Sequence, residues 1–151
     1  MILLLSGKLL EYPNNPFAEE ALILRAEVQF NQLNMAEALA SYNMLKEKAT
    51  NVERRQLAET GILRCAFLLR EDIETIHAAT DLLAEAKLSP ELRNEALYYR
   101  AKAYTKQKAD KKAMEDYREL AKDTRNSYGA EAKYQVAQSL YDAKEYAAAE
   151  K

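Results

Sequence analysis

The sequence predicts an all-α fold, an α-solenoid of antiparallel helical hairpins, from three observations. One small pattern recurs four times, as Glu20-Ala21-x3-Arg25-Ala26, Glu59-Thr60-x3-Arg64-Cys65, Glu95-Ala96-x3-Arg100-Ala101 and Glu131-Ala132-x3-Val136-Ala137. The first interval is 39 residues and the next two are 36 each, and a fixed period in that range is what stacked helical repeats produce. Only three Gly and three Pro interrupt a chain of 151 residues rich in Ala, Leu, Glu and Lys, which is helix-forming material. No segment alternates apolar and polar residues with the period of a strand, so no sheet is expected. A solenoid buries surface between neighbouring units and not around one centre. The chain therefore reads as one domain of four units, at about 16–50, 51–88, 89–125 and 126–151, behind a leading helix at 2–11.

Each element follows from local signals. The leading helix, Ile2 to about Glu11, is stopped by Tyr12-Pro13-Asn14-Asn15-Pro16. Asn15 can cap the next helix with Pro16 in its first position, where the missing N–H costs nothing, and that helix runs to about Asn31. Asn34-Met35-Ala36-Glu37 has the spacing of a capping box and opens a partner helix to about Lys48. Thr50 and Asn51 restart the chain for a helix ending near Arg70, and Asp72 caps its partner, which extends to about Lys87. Ser89-Pro90 is the clearest helix start and leads to about Lys108, after which Asp110 caps a helix ending near Lys122. Asn126 and Ser127 precede the last long helix, Tyr128 to Ala143, followed by a shortened final one. The apolar start Met1–Leu5 is broken by Lys8, too early for a signal-peptide core or a membrane span. The chain stops inside a helical pattern, so both ends are expected to be cuts in a longer protein.

Within each hairpin the second helix, B, carries Ala38-x3-Tyr42-x2-Leu45, Ala79-x3-Leu83-x2-Ala86 or Ala113-x3-Tyr117-x2-Leu120. Steps of four and three put these residues on one face, with the Ala at the closest helix crossing. In the first helices, A, Leu22, Ala26 and Phe30, and likewise Leu97, Ala101 and Thr105, form the complementary surface.

Charge and reactive groups argue against most chemistry. Against 24 Asp plus Glu stand 22 Lys plus Arg, for a net charge of -2, which supplies no field to hold nucleic acid. The nine basic and five acidic residues between 100 and 125 read as a solvated helix face. Cys65 is the single cysteine, so no intrachain disulfide forms, and Ala fills its slot in the other copies, which marks it as a small packing residue. His77 stands alone and reads as packed or surface, without the companions a metal or a base would need. Ser6-Gly7-Lys8 lacks the preceding glycine and strand of a phosphate loop. The recurrent Glu20, Glu59, Glu95 and Glu131 read as first-turn residues favoured by the helix dipole, and no carboxylate pair is evident in an apolar setting. No catalytic residue, metal or cofactor is expected.

The small residue in helix A, the Ala-x3-aromatic step in helix B and a hairpin period slightly above thirty resemble the tetratricopeptide repeat (TPR) family. The match departs from the family pattern in lacking Trp at the fourth position of helix A and in replacing the usual Leu-Gly pair by Arg25-Ala26, Arg64-Cys65, Arg100-Ala101 and Val136-Ala137. The phrase Tyr12-Pro13-Asn14-Asn15-Pro16-Phe17-Ala18-Glu19-Glu20-Ala21-Leu22, echoed by Asn126-Ser127-Tyr128-Gly129-Ala130-Glu131-Ala132, is similar to the subtype in the periplasmic coordinator of the Tol–Pal system and in outer-membrane assembly lipoproteins of Gram-negative bacteria. The resemblance implies a right-handed superhelix whose A helices line a concave, protein-binding face. It also implies a periplasmic or envelope setting, with a cytoplasmic one as the alternative.

Counted from the small residue, the concave positions implied are Ile23, Glu27, Phe30 and Asn31, then Ile62, Ala66, Leu69 and Arg70. The third unit adds Tyr98, Lys102, Thr105 and Lys106, and the fourth Tyr134, Gln138, Tyr141 and Asp142. Eight of the ten tyrosines lie from Tyr98 to Tyr146, and tyrosine supplies contact area at small entropy cost. The peptide-binding residues expected are Phe30, Asn31, Arg70, Tyr98, Lys102, Lys106, Tyr134, Gln138 and Tyr141. Lys102 would favour acidic partners. Tyr99, Tyr104 and Tyr117 are expected in the core, while Tyr98 and Tyr134 face either the groove or the next repeat. The function expected is a non-enzymatic scaffold for a protein or peptide partner, with an accessory domain of an enzyme or a self-association module as alternatives, and with no nucleic acid and no membrane insertion.

Overall fold

The computed structural model describes residues 17–123 and 125–149, with side chains to residue 145. The expected leading helix, the Asn15–Pro16 helix start, the Ser6-Gly7-Lys8 segment and the end of the final helix lie outside the described residues. Among the described residues the structure is all-helical, with seven helices and no strand. They are α1 (Ala18–Asn31), α2 (Met35–Lys48), α3 (Val52–Leu68), α4 (Asp72–Leu83), α5 (Pro90–Lys106), α6 (Asp110–Ala121) and α7 (Gly129–Ala149). The chain divides into two compact units, Met1–Glu85 and Ala86–Lys151. In the first, α1 packs on α2, α2 on α3 and α3 on α4; in the second, α5 packs on α6 and α6 on α7.

Three turns join A to B helices, and they are copies of one another. Leu33, Arg70 and Lys108 have φ of 63°, 61° and 59°, the left-handed residue that commonly ends a helix. The next N–H reaches back five residues in each case: Asn34 to the Gln29 carbonyl, Glu71 to Ala66 and Ala109 to Tyr104, at 2.9, 3.0 and 2.9 Å. These closures use the backbone, and the expected side-chain caps are absent. Asn34 makes no capping bond, so the capping box does not form. Asp72 and Asp110 are already the first residues of their helices, behind Glu71 and Ala109. Where the preceding chain is extended, side-chain caps do form: Asn51 accepts from the Arg54 N–H at 2.8 Å and Ser89 from the Leu92 N–H at 3.2 Å.

Two boundaries also differ from the sequence reading. Helix α4 ends at Leu83, not near Lys87, so in the second B helix Leu82 takes the buried role expected of Leu83, and Ala86 is exposed. Helix α7 runs unbroken to Ala149, through the turn expected after Ala143. No Gly or Pro stops it there, and Asp142 accepts from Gln138 one turn earlier at 3.0 Å and caps nothing.

The core of the first unit is built on Leu22, Ala26, Ala38, Leu45, Ala58, Leu63, Cys65, Ala66, Ala79 and Leu82, and that of the second on Ala96, Ala101, Ala113, Tyr117, Leu120 and Ala132. Of the small residues of the repeated patterns, Ala26, Cys65, Ala101 and Ala38 are wholly buried and Ala113 nearly so, as close helix approach requires, but Ala137 of the fourth copy is exposed on α7. The Cys65 thiol is free and burial pushes it up to about 11. Polar pairs seal the hairpins. Ser41 donates to the buried Gln29 at 2.6 Å. Arg100 grips Asp116 through Nε and Nη2 at 2.8 and 2.7 Å. Asp116, expected on a solvated face, is thus buried.

Candidate protein-interaction surface

The expected concave residues part company in the structure. In the first unit Ile62 and Ala66 are buried core residues, while Phe30 is half-buried and Asn31 exposed at the end of α1. Arg70 lies in the turn after α3, at the left-handed position, and not on a helix face. Lys106 is exposed at the last residue of α5. The tyrosines expected in the core divide too: Tyr117 is buried, but Tyr99 and Tyr104 are only half-buried. Tyr104 carries Lys112 at 5.7 Å and Arg100 at 5.8 Å from its ring centroid.

Tyr98 and Lys102 are already engaged within the second unit. The Tyr98 ring stacks on Tyr128 at 4.4 Å between centroids, and its hydroxyl donates to Glu131 Oε2 at 2.7 Å. Lys102 reaches Glu131 Oε1 at 2.6 Å and lies 5.3 Å from the Tyr98 centroid. Those bonds from Lys102 and Tyr98 hold the Glu131 carboxyl below the usual range. Of the two orientations open to Tyr98, the structure has the one that meets the next helix A. Tyr134 and Tyr141 remain 64% and 60% exposed on α7.

An open groove of about 360 Å³ runs between α5, α6 and α7. It brings together Thr105, Gln138 and Asp142, three of the expected concave positions, with Asp110, Met114 and Gln135. Its floor is Ala113 and Tyr117 from α6. The lining carries two carboxylates, Asp110 and Asp142, two amides and no cation. The B-helix pattern located its floor, but the contribution of α6 to its wall went unforeseen, because Asp110 was read as a helix cap and Met114 belongs to no recurring pattern. A second recess of about 600 Å³ lies at the start of α5 against the segment before α7, and its Arg125 is held by Asp123 at 3.0 Å.

The recurrent glutamates tie helices together. Glu20 and Glu131 are in first turns, but Glu59 is eighth in α3 and Glu95 sixth in α5. Glu19 and Glu20 both bind Arg54 of α3, Glu20 at 2.5 Å. Glu59 is 4% exposed, and burial followed by the nearby Glu85 charge pushes it up to about 7, whereas Arg55 holds Glu85 low. This is a carboxylate pair with its acidities driven apart, which the sequence reading did not foresee.

Among the described residues no group of His, Cys, Asp and Glu is arranged to hold a metal ion, and no helix is long and apolar enough to cross a membrane. No protein-family model, curated protein or solved structure matches this chain.

Proposed function

We propose that the protein is a non-enzymatic, TPR-like interaction scaffold, its hairpins stacked in a right-handed superhelix, that holds a polypeptide in the groove between α5, α6 and α7. The recurring left-handed turns and crossing alanines support the repeat reading. The groove supports the binding reading, because it gathers Thr105, Gln138 and Asp142 over a floor of Ala113 and Tyr117.

The chemistry of the lining favours a partner segment that presents Lys or Arg. Two carboxylates and no cation line the groove, and charge complementarity of this kind selects partners and orients them. The acidic partner expected from Lys102 loses its basis, since that ammonium is paired with Glu131. Fluorescence anisotropy with a peptide set matched in length, half carrying Lys or Arg and half Asp or Glu, tests the reading. The basic peptides should bind, weaken with salt, and lose about tenfold in affinity in Asp110→Asn with Asp142→Asn. Preference for the acidic set, or equal binding by that double variant, overturns it.

A second reading, self-association, draws on Tyr134, Leu140 and Tyr141, each more than half exposed on α7. Sedimentation velocity over a hundredfold concentration range separates it from the first.

A further inference from the structure

Glu59 sits in the middle of α3, where α2 and α4 pack on either side. Its side chain is 5% exposed, and its Oε2 has no hydrogen-bond partner. Its other oxygen is 3.9 Å from Lys46 Nζ of α2, too long for a hydrogen bond. That ammonium is given instead to Asp81 of α4, at 2.8 Å. Arg55, one turn earlier on α3, is likewise turned away, gripping Glu85 through Nε and Nη2 at 2.9 and 3.2 Å. The Glu59 carboxyl lies beside that of Glu85, within reach of a hydrogen bond if one of them carries a proton. Lys46, Arg55, Asp81 and Glu85 are the charged groups that bear on Glu59 from α2, α3, α4 and the residues just after α4.

With every group ionised, three carboxylates face two cations, and the surplus negative charge falls on the most buried member. A buried carboxylate with an unpartnered oxygen is costly. A single proton on Glu59 removes the surplus and turns the orphaned oxygen into a donor toward Glu85. We propose that the junction of α2, α3 and α4 is a proton-responsive joint, closed while Glu59 and Glu85 share a proton and loosened when that proton leaves. Only a proton moves, from Glu59 to solvent, and Glu85 keeps its bonds to Arg55. The upward push on Glu59 and the downward one on Glu85 agree with this division. The inference concerns a joint inside the first unit and does not depend on the groove of the second.

Carbon-detected NMR of the side-chain carboxyls across pH 3–9, on the full chain, reads the joint directly. Glu59 should titrate about two pH units above an exposed glutamate. Lys46→Met should move that midpoint up and Glu85→Gln should move it down, since one removes an attracting charge and the other a repelling one. Thermal unfolding should show the melting temperature falling between pH 5 and pH 7.5 in the wild type and staying flat in Glu59→Gln. His77→Gln, which removes the one imidazole, should leave the fall in place. A Glu59 midpoint in the ordinary glutamate range, or a fall in stability that survives Glu59→Gln, overturns the proposal. If Glu59→Gln does not fold, the wild-type titration and its opposite shifts in the other two variants decide.

Discussion

Gly61 shows how a single carbon can govern a helix contact. It lies inside α3, where glycine is about 1 kcal/mol worse than alanine, so Gly61→Ala would ordinarily stabilise. Yet a Cβ there would come within 2.5–2.6 Å of the Tyr42 ring, and Tyr42 is itself only 7% exposed. The ring would have to shift within a packed interface, which costs about 1–3 kcal/mol. We expect Gly61→Ala to lose about 1 kcal/mol net, read as a lower urea midpoint at unchanged slope. A raised midpoint would show that the ring swings aside freely.

At the scale of elements, the A-to-B turns determine where each B helix starts. Leu33, Arg70 and Lys108 adopt a conformation that favours glycine, and a side chain there costs about 1 kcal/mol relative to Gly. Leu33 is the cleanest test, because it is 79% exposed and its removal takes nothing from the core. Leu33→Gly should raise stability by about 0.5–1 kcal/mol, less the entropy that glycine adds to the unfolded chain. A loss on chemical denaturation would mean that the leucine makes a contact the turn depends on. The crossing alanines work in the opposite direction. Ala38 and Ala113 are 0% and 2% exposed, so leucine at either should overpack its hairpin by about 1–3 kcal/mol.

For the whole molecule, the carboxylates set a pH profile. Glu19, which burial alone would raise, is held low by Arg54 and Thr50. Glu85 and Glu131 are held low by Arg55 and Lys102. Groups with lowered folded values stabilise above about pH 4.5 and lose that contribution as pH falls through those values. Glu59 runs the other way. Its folded value of about 7 lies above the ordinary 4.5, so its contribution is full below 4.5 and is lost as pH rises to about 7. That shift bounds the loss at about 3 kcal/mol. Stability should therefore peak near pH 5 and decline toward neutrality, a shape that chemical denaturation at successive pH values checks. A plateau from pH 5 to pH 8 would refute it.

The repeat period, the helical content, most of the crossing small residues and the helix starts at Asn51 and Ser89 were legible in the sequence, because each depends on a residue's own backbone preference or on neighbours three or four positions away. The roles of the recurrent glutamates were not. Glu20, Glu59 and Glu131 occupy one slot of one pattern, yet the first meets Arg54, the second is buried beside Glu85 and the third receives Tyr98 and Lys102. Their partners, Arg54, Glu85, Tyr98 and Lys102, lie far along the chain at positions that the recurring pattern leaves variable. The same holds for the groove, whose negative lining appears only once Asp110 of α6 and Asp142 of α7 have been brought to one cleft. Local periodicity specifies which face of a helix is buried, but the charge that meets it there depends on long-range packing, and only the folded chain decides that.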